Sequence, residues 1–203
     1  MSTTLKPTPM KNILLILLIV VSCKSFPQSN CQSITTVPLR TYGLPDKECH
    51  YFKDTNNELS DYEGTWKGAW NGKTIFITFK KIVNDYNETL KYNRDFLIGK
   101  FKTIDSNGTI LFDNLALSDN QSKIRGINFQ NITDKYLMWY VDNDLCGLSG
   151  DIEITFANAA RTQLNFYFHQ DNQVLTSDCY FHGWPQANRP APLPKDNIVL
   201  TKQ

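Results

Sequence analysis

Two alternating runs joined by Asn71-Gly72 constrain the fold of this chain more than any other feature. Gly64-Thr-Trp-Lys-Gly-Ala-Trp70 precedes the pair, and residues 73–83 follow it. Asn-Gly between such runs is the strongest short hairpin signal, because a type I′ turn needs positive φ at both central positions and these residues tolerate it best. A two-residue loop also fixes the register, setting Trp70 opposite Lys73, Gly68 opposite Ile75 and Trp66 opposite Ile77. Trp66, Trp70, Ile75, Ile77 and Phe79 then share one surface, which must be buried.

Short alternating runs continue to the end of the chain, and strands are predicted at residues 96–104, 109–113, 123–129, 135–142, 152–156, 163–169, 179–181 and 197–202. Asn, Asp and Gly break them at turn spacing. This pattern predicts an all-β fold, a single antiparallel meander closed or nearly closed into a barrel of about 8–10 strands, since a parallel sheet would need helices between its strands. Residues 185–194 are Pro-rich and form a stiff crossover before the last strand. Ahead of Glu63, a polar stretch with Pro38, Gly43 and Pro45 shows weak periodicity and one helical turn at 57–62. It is expected to be an irregular N-terminal strap.

Close to its start the chain carries Met10-Lys11-Asn12, an uncharged apolar run from Ile13 to Val21, and Ser22-Cys23. A spanning helix needs about 20 apolar residues, so a basic segment with a shorter run and a small residue is an export signal. Val20-Val21-Ser22-Cys23 resembles the bacterial lipoprotein signal, which makes Cys23 the lipidated first residue of the mature protein and anchors it to a membrane. The competing reading is an ordinary secretory cut near Pro27-Gln28-Ser29. The expected organisation is a signal peptide over 1–22, a tether and strap over 23–62, and a barrel over 63–203. The location follows: exported, either lipid-anchored in the bacterial cell envelope (periplasm or outer membrane) or secreted.

Removing Cys23 from the five cysteines leaves Cys31, Cys49, Cys146 and Cys179, an even set in an oxidising compartment. Two disulfides are expected; four cysteines allow three pairings, of which the one joining chain neighbours, Cys31 with Cys49 and Cys146 with Cys179, is favoured. Zinc is the rival, through Cys49-His50 and Cys179-Tyr-Phe-His182, but adjacent Cys49 and His50 chelate one tetrahedral ion poorly. The 21 Lys and Arg fall to 19 when Lys6 and Lys11 leave with the signal, against 20 Asp and Glu. That balance offers no basic face for nucleic acid.

Tyr62-Glu-Gly-Thr-Trp66, after a helical turn and before strands, resembles the Gly-x-Trp opening motif of lipocalin-like proteins, where the Trp plugs one end of the barrel. Gly64 and Trp66 carry that likeness. With the export signal, the Trp70-Asn71-Gly72 hairpin and the Ile198-Val-Leu-Thr-Lys-Gln203 ending, most of the mature chain resembles an uncharacterised family of exported flavobacterial lipoprotein-like proteins. That family implies no activity and therefore no catalytic residues. The chain departs from true lipocalins in lacking a long C-terminal helix and a second signature motif.

Chemistry-bearing patterns are sparse. Gly147-Leu-Ser149-Gly150 lacks one spacer of a Gly-x-Ser-x-Gly elbow and sits where a turn is expected. Asp142-Asn-Asp144 does not match a calcium loop. His50, His169 and His182 have no assigned partners. No cofactor and no metal is expected. Along 135–142, Leu137, Trp139 and Val141 form one face and Tyr136, Met138 and Tyr140 the other, which Tyr167 and His169 extend if their strands are neighbours. That second face is either covered by the strap or contacts a ligand or partner. The expected role is a non-catalytic monomeric envelope protein that binds a small hydrophobic ligand or another envelope component, with an exported hydrolase or a protein-interaction module as alternatives.

Overall fold

Asn71 and Gly72 both take positive φ, 45° and 72°. They set Trp70 opposite Lys73, Gly68 opposite Ile75 and Trp66 opposite Ile77, as the two-residue loop predicts. The structure is a computed structural model that describes residues 31–203, so residues 1–22 and Cys23 lie outside the described residues. The strands are β1 (Thr35–Pro38), β2 (His50–Lys53), β3 (Gly64–Trp70), β4 (Lys73–Asn87), β5 (Tyr92–Ile104), β6 (Ile110–Asp113), β7 (Ile124–Phe129), β8 (Tyr136–Asp142), β9 (Leu148–Phe156), β10 (Gln163–Gln170) and β11 (Ile198–Lys202). From β3 onward each ring strand pairs antiparallel with the next. β11 returns to β3 and β5 meets β7, which closes an eight-stranded barrel in the order β3-β4-β5-β7-β8-β9-β10-β11.

Three predictions are revised. Residues 109–113 form β6, which lies outside the ring as a side strand on β5. Residues 179–181 make a turn instead of a strand, with the His182 amide donating to the Cys179 carbonyl at 2.9 Å. Every ring strand already has two neighbours, and Gly183 at φ 82° breaks the run. The strap is more regular than expected: β1 pairs parallel with β2, and β2 pairs parallel with β5 at Asn93 and Arg94. It joins the body as well, since Ile34–Gln203 is one compact unit and Leu39, Phe52, Leu59 and Tyr62 belong to its core.

Inward-facing side chains fill the barrel. Trp66, Phe79, Phe101, Tyr136, Tyr140, Phe166 and Phe168 are all buried, and Tyr140 meets Phe168 edge-on at 5.5 Å. Glycine makes room for these rings, because a Cβ at Gly126 would collide with the Tyr136 hydroxyl and one at Gly150 would lie 2.6 Å from the Phe168 ring. The 3-10 turn Leu59–Tyr62 stops one end, where the Trp66 indole donates to the Tyr62 carbonyl at 2.7 Å. Leu193, on the Pro-rich crossover, belongs to the same core and covers the other end.

Two joins in the ring have only two paired positions each, β11–β3 and β5–β7, and in the second only Ile98 with Arg125 and Gly99 with Ile124 are paired. Side chains complete it. The Tyr136 hydroxyl accepts from the Leu97 amide at 3.1 Å, and Ser122 Oγ donates to the Gly99 carbonyl at 2.9 Å. Asn114 Oδ1 accepts from the Phe101 amide at 2.5 Å. A second polar knot holds the strap. The buried Asp95 carboxylate on β5 accepts from the Tyr51 hydroxyl at 2.6 Å and from the Asp54 and Asn84 amides, both at 2.9 Å. Asp54 in turn accepts from the Glu58 and Leu59 amides and from Lys81 Nζ at 2.7 Å.

Candidate functional site

A cleft opens at the end stopped by the Leu59–Tyr62 turn, where the strap meets the β7–β8 and β9–β10 turns. It measures about 490 Å³ and is walled by Arg40, Glu58, Asp134, Asn158 and Arg161 over the rings of Tyr62, Phe129 and Phe156. Local chemistry fixes these walls. Asn158 Oδ1 accepts from the Thr162 and Gln163 amides at 3.0 and 3.2 Å, which shapes the turn and holds Arg161 at φ 54°. The Arg40 guanidinium lies 3.9 Å over the Phe129 ring, donates through Nε to Glu58 at 2.7 Å, and reaches Asp134 at 3.1 Å. Burial opposes its charge, and Glu58 more than compensates, so its pKa is raised. Arg161 lies 5.3 Å from the Phe156 ring centroid and donates to Asp61.

Tyr62 is the polar residue at the floor. Its ring stacks on Phe156 at 4.3 Å, and only 3% of the residue is exposed. Unlike the hydroxyls of Tyr136 and Tyr140, its hydroxyl has no hydrogen-bond partner among the described residues. Burial drives its pKa up, with Arg40, Asp134, Arg161 and Glu58 as the charges it feels, so it stays a neutral phenol.

The expected aromatic face divides. Tyr136, Met138 and Tyr140 point into the barrel and are fully buried, whereas Tyr167 and His169 lie on the outer surface with Trp139, which is 53% exposed. The five residues therefore do not share a surface, because the ring turns the even-numbered side of β8 inward. Of the inward three, Tyr136 meets the strap at Tyr62, 6.1 Å between ring centroids, and neighbouring barrel strands enclose Met138 and Tyr140. Gly64 opens β3, and Trp66 is buried with the Lys202 ammonium 5.2 Å from its ring. Cys146 and Cys179 are joined, and Cys31 and Cys49 are each disulfide-bonded.

The other chemical candidates stay apart. Ser149 lies inside β9, not in a turn, and its hydroxyl donates to Asp171 at 2.7 Å. His50 Nδ1 is 2.9 Å from the Glu48 carbonyl on the strap. Asp142 and Asp144 bind Lys123 Nζ at 2.6 and 2.8 Å, and Lys123 holds the Asp144 carboxyl below its ordinary pKa. Among the described residues, no three His, Cys, Asp or Glu side chains converge as a metal site requires. Sequence reasoning missed Arg40, Glu58, Asp134 and Arg161, and had Tyr62 only as part of the Trp66 motif. Their partners stand about a hundred residues apart, Arg40 to Asp134 and Asp61 to Arg161, so no local pattern announces them.

A protein-family model described as "Family of unknown function (DUF6705)" matches residues 10–203. No curated protein and no solved structure matches the chain.

Proposed function

The chain belongs to DUF6705, a family of unknown function, and from its geometry we propose a non-catalytic module of the bacterial cell envelope, exported, tethered through lipid on Cys23, and binding an envelope component at its surface. The packed interior carries this reading. With Trp66, Phe79, Phe101, Tyr136, Tyr140, Phe166 and Phe168 filling the ring and both ends stopped, the lumen is a core, which favours an envelope component over a small hydrophobic ligand as the occupant. Disulfides suit an oxidising compartment. The arrangement is also the reverse of an outer-membrane barrel, which is apolar outside and polar within. Here the apolar residues face inward, and Lys67, Asp151 and Glu153 face out. A tether supplied by lipid is therefore the means of membrane association.

Mass spectrometry of the full chain recovered from the membrane fraction of its host tests the reading. The expected result is an acylated N-terminal peptide beginning at Cys23 and no co-extracted lipid in one-to-one ratio. A tightly held lipid in that ratio would make the protein a carrier, and an unmodified chain starting near Ser29 would remove the anchor.

A further inference from the structure

We infer that the cleft over Tyr62 is a binding site for a neutral saccharide unit. The inference rests on the reading of the protein as a surface-binding module and names the place and the ligand chemistry. Three observations converge on it. First, the Tyr62 hydroxyl is a polar group on a side chain that is almost wholly buried, it lies among cleft residues, and it has no partner. Among the described residues Asn114 Nδ2 is the one fully enclosed side-chain polar atom without a partner, so the Tyr62 hydroxyl reaches water through the cleft and can exchange that water for a ligand hydroxyl. Burial keeps it protonated, so it can donate as well as accept.

Second, the charges on the walls cancel. Arg40 and Arg161 face Glu58 and Asp134, and Asp61 already binds Arg161. An anion would meet the Glu58 and Asp134 carboxylates beside two guanidiniums, one of them already paired with Asp61, and a cation would have to compete with arginines already in place. A ligand hydroxyl both donates and accepts, so a polyol can bridge a guanidinium and the carboxylate next to it without breaking the pair. Arg161 keeps donors beyond the one it gives Asp61, and Asp134 is 94% exposed at its side chain. Third, the floor is aromatic. Phe156 stacks with Tyr62 beneath a volume of about 490 Å³, within the usual range for small-molecule sites. Tyr62 and Phe129 are almost closed off, so the C–H face of a sugar ring would meet the half-buried Phe156, with hydroxyls at its edge for the walls. The site is also preformed, since Asn158 fixes the Arg161 turn and the Phe129 ring and Glu58 fix Arg40.

Ligand-observed NMR on the mature protein tests this, with glucose, galactose and N-acetylglucosamine as probes and acetate, inorganic phosphate and spermidine as charged controls. At least one sugar is expected to bind with little dependence on salt, while the charged controls do not. Tyr62→Phe removes one hydroxyl and should weaken that sugar about five- to tenfold at unchanged melting temperature. Arg161→Gln should weaken it too, and Asp151→Asn on the outer face of β9 should leave it unaltered. Three results would overturn the inference: no response to any of the sugars by folded protein, a charged control that binds more tightly and salt-dependently, or sugar binding indifferent to Tyr62→Phe and Arg161→Gln. Absence of sugar binding removes this ligand class alone. The surface-module reading instead falls on a stoichiometric lipid held in the barrel.

Discussion

Replacing Tyr136 by Phe tests how the barrel closes. The β5–β7 join has only two paired positions, and just beyond them the Leu97 amide donates to the Tyr136 hydroxyl at 3.1 Å. Leu97 is fully buried, so removing the hydroxyl leaves an N–H that water cannot reach. An orphaned buried donor costs about 1–3 kcal/mol. The phenyl ring keeps its packing, 4.8 Å from Phe129 and 6.1 Å from Tyr62, so little is added for lost contact. In a domain of this size about 1 kcal/mol lowers Tm by roughly 2–4 °C, which sets the fall at about 2–12 °C. Urea unfolding should show a lower midpoint at unchanged m. Native-state hydrogen exchange should show the Leu97 amide opening faster while Ile77, in the β3–β4 hairpin, changes only with global stability. Stability within about 0.5 kcal/mol of the parent and a Leu97 amide as slow as before would refute the idea that this hydroxyl seals the ring.

Asp95→Ala strands the Tyr51 hydroxyl and the Asp54 and Asn84 amides, and should cost about 3–5 kcal/mol by urea unfolding, with Asp95→Asn milder because its amide oxygen still accepts. A near-neutral Asp95→Ala would mean that the strap is held by its apolar contacts alone. Replacing Cys146 and Cys179 by Ser opens a bridge with a sequence separation of 33, and the chain-entropy relation puts the loss at about 3–4 kcal/mol; thermal unfolding with and without reductant measures it. Burial raises the pKa values of Tyr51, Tyr62, Tyr136 and Tyr140 above their ordinary 10.0. Above that pH the unfolded chain releases protons that the native protein keeps, so stability should fall as pH rises past about 10. Phenolate absorbance should then show these four tyrosines ionising together with unfolding, not before it.

The hairpin was legible because its determinants are local: Asn71 and Gly72 specify the turn, and the turn specifies the register. The sidedness of β8 was not. Leu137, Trp139 and Val141 are as apolar as Tyr136, Met138 and Tyr140, so alternation alone does not say which set faces in. The pairing decides it. Met138 lies opposite Gly126 and Tyr140 opposite Gly150, where missing side chains make room for rings, while Trp139 lies between Arg125 and Asp151. Those partners come from β7 and β9, and their register is known only once the barrel is assembled. The mouth cleft is less legible still. It forms where the strap meets two turns far along the chain, and two of its ion pairs, Arg40 with Asp134 and Asp61 with Arg161, span close to half the sequence.

Whether the interior is a core or a lumen depends most directly on the crossover that covers one end. Leu193 is 1% exposed, and the Pro192 carbonyl beside it accepts from Thr103 Oγ1 at 3.0 Å, so the backbone there is held in place when the side chain is cut back. Leu193→Ala should therefore leave a cavity instead of collapsing, at a cost of about 2–5 kcal/mol. Its walls are apolar, and such a cavity stays dry and takes up xenon. A packed native barrel predicts xenon in crystals of Leu193→Ala and none along the axis of the parent. Xenon bound among Trp66, Met138 and Phe166 of the parent would show that the rings leave a usable lumen, and a small hydrophobic ligand would again become the best candidate for what this barrel holds.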